Sequence, residues 1–153
     1  PAVSFAFAMR GDLPWSTAGL YAAVQIAAAL VGVLVAHMMF ELPLWQVSIH
    51  ARTGPGQWLA ETVASFGLLL TIFGSMKTAP AAVPYAVGLY IGSAYWFTAS
   101  TSFANPAVTI ARALSDTFAG IAPGGVLAFI AAQLAGTCLA IPAARLLWPA
   151  ETR

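Results

Sequence analysis

Thr101-Ser-Phe-Ala-Asn-Pro-Ala-Val-Thr-Ile-Ala-Arg-Ala-Leu-Ser-Asp116 is the stretch that decides the fold. Asn105 is a favoured N-cap and Pro106 suits a first helical turn, so a helix should begin there. The apolar run lasts to about Leu114 before Ser115, Asp116 and Thr117 interrupt it, and the expected helix covers 106–117. A full membrane crossing takes roughly 20 residues, whereas about 12 helical residues rise only about 18 Å. A half-length helix with a polar start, inside a membrane protein, points to a channel or transporter site.

The membrane setting follows from composition. Of 153 residues, 60% are hydrophobic and 7% charged, against about 25% charged in a soluble domain. The mean hydropathy is +0.84. Such a chain uses lipid as part of its solvent and should be an all-α, multi-span protein. A net charge of +1 argues against a nucleic-acid partner. Cys138 is the single cysteine, so no intrachain disulfide forms, and it reads as a small buried packing residue. No Ser/His/Asp set, paired carboxylates or metal-ligand cluster converges at one depth, so neither an enzyme, a cofactor nor a metal site is expected. The opening Pro1-Ala-Val-Ser-Phe-Ala-Phe-Ala8 lacks a charged start, an initiator Met and a signal-cleavage pattern. It reads as a sequence cut within an element, a piece of a longer protein.

Taken in order, residues 1–9 form a short apolar segment closed by the turn Arg10-Gly11-Asp12. Spans are expected over about 15–40, 57–76, 81–98 and 126–148, with 41–57 as an exposed loop. His37 and His50 read as exposed loop histidines, and Gly88 and Gly92 have a small-xxx-small spacing suited to close helix contact. Glu61 is the only acidic residue within a span. Alternating the crossings puts Arg10, Lys77, Arg145 and Arg153 on one side. Arg52 falls on the other, with Arg112 in the short helix, so the first side is cytoplasmic.

The first residues repeat the key stretch. Pro1-Ala-Val-Ser-Phe-Ala-Phe-Ala-Met9 lies over Pro106-Ala-Val-Thr-Ile-Ala-Arg-Ala-Leu114, with five of nine positions identical and Ser4 over Thr109 keeping the hydroxyl. Each copy is followed by a polar turn and a span with one glutamine, Gln25 or Gln133. An odd number of spans separates the copies, so they point in opposite directions. Inverted repeats with broken helices place their site near the bilayer midplane, where two positive helix ends would face a shared centre.

Asn105-Pro106-Ala107 at the start of a half-helix, with an inverted second copy, resembles the aquaporin (major intrinsic protein) family, including its aquaglyceroporins. The resemblance covers the whole chain, 1–153, as a single channel domain. It implies a right-handed bundle of six spans and two re-entrant half-helices, with two spans and the first motif's Asn upstream of Pro1. Pro1, Ala2, Asn105, Pro106 and Ala107 would belong to the two pore motifs, and homotetramers in the cell membrane are implied. Glu61, Gln25 and Gln133 fall where the family has buried polar residues in its spans. The resemblance further implies passive permeation of water or small uncharged solutes, with protons and ions excluded. Physically, the Asn105 amide donates into the pore and turns the water bound to it, while the helix ends oppose cations.

The chain departs from the family where most members have an arginine after the second motif, since Val108 stands there. A shorter apolar wall should admit solutes larger than water: glycerol, urea or neutral metalloid hydroxides such as arsenous acid. The remaining filter positions are expected at Tyr95, counting from Gly88, or at Ser93, counting back from Asn105. Ser102 or Phe103 would supply the loop contribution. Arg112 lies four residues after Val108, on the same helix face. It either charges an outer vestibule, snorkels to water, or pairs with Asp116. The competing reading is an ion-coupled secondary transporter, which shares the inverted repeats and broken helices but needs titratable ligands at the midplane, where only Glu61 comes close.

Overall fold

In lipid only a helix satisfies every backbone polar group within one segment, so the long apolar runs fold as helices. The structure is a computed structural model and describes residues 1–149. Residues 150–153, including the Arg153 used above for orientation, lie outside the described residues. In chain order the elements are α1 (Ala2–Arg10), α2 (Trp15–Met39), α3 (Pro55–Thr78), a 3-10 turn (Pro80–Ala82), α4 (Val83–Phe97), α5 (Pro106–Arg112) and α6 (Pro123–Leu147). Three of them, α2, α3 and α6, are long and apolar enough to cross a membrane.

The expected span over 81–98 is built differently. Only the 15 residues of α4 are α-helical, because Pro80 and Pro84 restrict the backbone at its start and the tighter 3-10 turn precedes it. The two pieces together rise about 28 Å, close to the hydrocarbon thickness. The half-helix expected over 106–117 is also shorter, with 7 residues. Its last turn tightens into bonds such as Leu114 N to Ala111 O at 3.0 Å. Two of its closing carbonyls are taken from outside, Arg112 O by Ile121 N and Ala113 O by Ser48 N. A helix whose carbonyls are captured this way cannot propagate.

The α3–α6 pair forms the main helix contact. Gly136 permits it, since a Cβ there would meet the Thr62 carbonyl of α3. Leu68, Leu69, Ile72 and Phe73 of α3 pack with Ala140, Ile141 and Ala144 of α6, together with Ala6 of α1 and Ala104. By contrast, Gly88 and Gly92 face open space, so the small-residue stripe of α4 makes no helix contact among the described residues. Cys138 is exposed on α6, not buried, and its thiol lies 3.9 Å from the Met9 sulfur.

The repeat is visible in the packing. Both short helices rest on the same two long ones: α1 contacts α2 and α6, and α5 contacts α6 and α2. Helices α2 and α6 each have 25 residues, and Gln25 and Gln133 each stand at the eleventh. The apolar surface of α2 is largely uncovered, with Leu20, Val24, Val31 and Val35 all exposed, as suits a helix in contact with hydrocarbon.

The segment between α2 and α3 is not the freely exposed loop expected over 41–57. It is stitched to the turn after α5: Asp116 accepts from Ile49 N at 3.0 Å, Gln46 Oε1 accepts from Asp116 N at 3.0 Å, and His50 O accepts from Ala122 N at 2.8 Å. Ser48 and Arg52 are buried within it. His37 is buried too, 2% exposed, with Nδ1 3.0 Å from Leu44 O and Nε2 3.1 Å from Ser115 Oγ. His50 remains exposed.

Candidate functional site at the start of α5

Helix α5 starts where the sequence places its cap. Asn105 is extended and its Oδ1 accepts from Ala107 N at 2.9 Å. That uses the acceptor end of the side chain and leaves its NH2 as a donor. Pro106 and Ala107 are buried, while Val108 is half-buried. In the first copy, Ala2 is 2% exposed, and Pro1 O accepts from Phe5 N at 2.8 Å to open α1.

The chain reaches Asn105 through a difficult backbone. Thr101, Ser102 and Ala104 have φ of 62°, 48° and 49°, a left-handed region that costs non-glycine residues roughly 1–2 kcal/mol each. Glu61, fully buried on α3, holds them there. Its Oε1 accepts from Ser100 Oγ at 2.6 Å and Phe103 N at 2.8 Å. Its Oε2 accepts from Ala104 N at 2.9 Å and Gln133 Nε2 at 2.6 Å. Gln133 Nε2 also donates to Thr109 Oγ1 at 2.8 Å, and that hydroxyl donates to Asn105 O at 2.9 Å. One buried carboxylate therefore fixes both the approach loop and, through Gln133 and Thr109, the cap of α5. The first copy repeats the contact more loosely, with Gln25 Nε2 donating to Ser4 Oγ at 3.4 Å.

Two arginines bracket the loop. The guanidinium carbons of Arg52 and Arg112 lie 5.0 Å and 4.4 Å from the Phe103 ring centroid. Arg52 donates to Gly120 O, Ser100 O and Phe118 O at 2.8, 2.9 and 2.8 Å, joining three loop segments. Burial draws its pKa below the ordinary arginine value, and the neighbouring Tyr95 and Glu61 oppose that shift. Composition and spacing give no signal for Arg52, since its partners are backbone carbonyls far along the chain.

Arg112 makes no ion pair with Asp116, which is bonded to Ile49 N, and is half-buried. It is stacked on Phe103, and its Nη1 is buried without a partner. Phe103 is 3% exposed and packs against Phe129 at 5.3 Å between centroids, so its ring is core. Ser102 is buried, and its hydroxyl, like that of Thr101, has no partner. Of the two fifth-span candidates, Ser93 is exposed with Oγ bonded back to Leu89 O at 2.8 Å. Tyr95 lies near both arginines, and its ring centroid is 6.4 Å from that of Phe118. The structure thus brings Arg112 onto the Phe103 ring, next to Ser102 in the chain, with Tyr95 near both arginines, while Ser93 bonds within its own helix. Among the described residues no group of His, Cys, Asp and Glu could hold a metal ion.

Fold and site define a multi-pass helical membrane protein with paired half-helices set in an inverted repeat. No protein-family profile matches the chain and no solved structure matches it. It is 50% identical over 152 residues to "Aquaglyceroporin AqpS" of Rhizobium meliloti (strain 1021), a match that takes in 99% of this chain and 65% of that protein. Over nearly its whole length the chain is thus similar to a member of the aquaporin (major intrinsic protein) family. It spans about 65% of the length of this curated relative.

Proposed function

We propose that the full protein is a passive channel for water and small uncharged solutes, with Asn105 at the narrow centre and Val108 setting the outer constriction. The observation that carries this reading is the state of Asn105. Its Oδ1 is committed to capping α5, so its NH2 is oriented as a donor at the head of a half-helix. Thr101 Oγ1 and Ser102 Oγ, in the loop leading into it, and Arg112 Nη1, at the far end of α5, are buried with no protein partner. The likeness to an aquaglyceroporin agrees with an aperture wider than water needs.

The filter in this reading consists of Val108, Tyr95 and Ser102, with the Arg112 charge beside them. Val108 adds no donor and no charge, so solute size and hydroxyl matching decide passage. Glycerol, urea and neutral metalloid hydroxides such as arsenous acid are the solute class. Protons and ions are held back by the positive ends of the half-helices and by the broken water wire at Asn105. The exposed apolar face of α2 suits contact with lipid or with further copies, and a homotetramer is the expected assembly.

Proteoliposome swelling tests the reading. A channel gives solute flux that is independent of ion gradients and has a low activation barrier. Saturable uptake that requires a proton or sodium gradient would replace it with the ion-coupled transporter.

A further inference from the structure

Arg112 is the last residue of α5, and Val108 stands one turn before it on the same face of the helix. The guanidinium does not stay at that end. Its carbon lies 4.4 Å from the Phe103 ring centroid, and Phe103 precedes the helix that Arg112 closes. Between Pro106 and Arg112 the helix rises about 9 Å. The side chain therefore folds back along α5, the direction helix geometry gives to long side chains. Its charge is carried toward the level of Val108.

The charge delivered there is not taken up by the protein. Arg52 stacks on the same ring at 5.0 Å, but its three nitrogens donate to the carbonyls of Gly120, Ser100 and Phe118. Arg112 has no such acceptor among the described residues, and its Nη1 is buried without a partner. The acids nearest to it are committed elsewhere. Asp116 accepts from Ile49 N, and Glu61 accepts from four donors. Two arginines thus face one buried carboxylate, which leaves the surroundings of Phe103 positive. Tyr95, expected at the filter, lies near this charge. Arg112 also forms part of the wall of a cavity of about 720 Å³, whose described lining holds no acidic residue.

We propose that Arg112 is the charge filter of the pore, so that exclusion of cations and discrimination by size belong to two different residues. Val108 sets the width. Arg112, folded back beside it, opposes any solute that bears positive charge. Stacking on Phe103 holds the guanidinium in place, so the charge acts without the side chain having to stand at position 108. The inference rests on the channel reading above and deepens it: solutes are neutral because of Arg112 and larger than water because of Val108.

The test compares urea with guanidinium, two planar solutes of nearly equal size that differ by one positive charge. Uptake of both is measured on proteoliposomes of the full-length protein. The guanidinium-to-urea flux ratio is read, because it does not depend on how much of the protein is folded. Wild type should pass urea and keep the ratio low. Arg112→Gln should raise the ratio by about tenfold or more. Arg112→Lys should keep it low, and Val108→Arg added to Arg112→Gln should lower it again. Arg112→Met, which leaves an apolar stem on the Phe103 ring, gives the same reading where the glutamine variant does not fold. A wild-type ratio in both the glutamine and methionine variants, or loss of urea flux in both, makes Arg112 a packing residue and overturns the proposal. A wild type that passes guanidinium as readily as urea overturns the charge filter alone. A wild type that passes no urea removes the solute reading beneath it, and the proposal with it.

Discussion

Glu61 meets four donors at 2.6 to 2.9 Å in a site with no access to water. Glu61→Gln keeps the shape but turns an amide NH2 toward donors. Each buried donor left unsatisfied costs about 1–3 kcal/mol, so the variant should melt markedly lower in detergent and lose solute flux. A variant that melts like the wild type would show that the loop over 98–104 is held by something else. The carboxylate is conspicuous in the sequence, because an intramembrane acid needs a reason to be there. Its donors are not conspicuous. Two of them are backbone amides made available by left-handed turns at non-glycine residues, which no propensity favours. Arg52 is the opposite case, a loop arginine with the ordinary look of a solvated charge. Only the folded chain shows three carbonyls converging on it. Arg52→Lys retains the charge but not the fork, so amide exchange across residues 115–121 should quicken by about tenfold or more, for a loss of roughly 1.5–3 kcal/mol. Unchanged exchange would remove Arg52 as the tie between these loops.

The repeat makes a prediction about pairs of elements. Helices α2 and α6 carry glutamines at the same step and direct them to matching hydroxyls in α1 and α5. The two contacts are not of equal strength. Gln25 makes one long bond of 3.4 Å, whereas Gln133 bonds Thr109 at 2.8 Å and Glu61 at 2.6 Å. Gln25→Leu should therefore cost under about 1 kcal/mol and Gln133→Leu about 2–3 kcal/mol, read as the difference in melting temperature between the two variants. Equal losses would mean that the connection to Glu61 contributes little. At this scale, the existence and order of the helices were legible from hydropathy and from the polar interruptions. The extents of α4 and α5 were not. Both depend on events outside the helix: prolines and a 3-10 turn ahead of α4, and the capture of α5 carbonyls by Ser48 and Ile121. The burial of His37, Ser48 and Arg52 escaped for the same reason, since most of their partners lie at residue 100 or later.

Across the whole molecule, two half-helices share the same pair of long helices, and a buried polar relay on one side of that pair fixes the cap of α5. In the proposed channel Asn105 has one donor role and selectivity lies with the side chains just beyond it. Val108 is the position at which the chain parts from the usual arginine, so it carries the central claim that the pore is not restricted to water. Stopped-flow measurement of water, glycerol, urea and arsenous acid permeability, on proteoliposomes of wild type and Val108→Arg, tests that claim most directly. The wild type should pass all four. Val108→Arg should lower the larger solutes by about tenfold or more, on the scale of one size-discriminating contact, while water falls far less. Equal reduction of all four solutes, or a wild type that passes water alone, would contradict it.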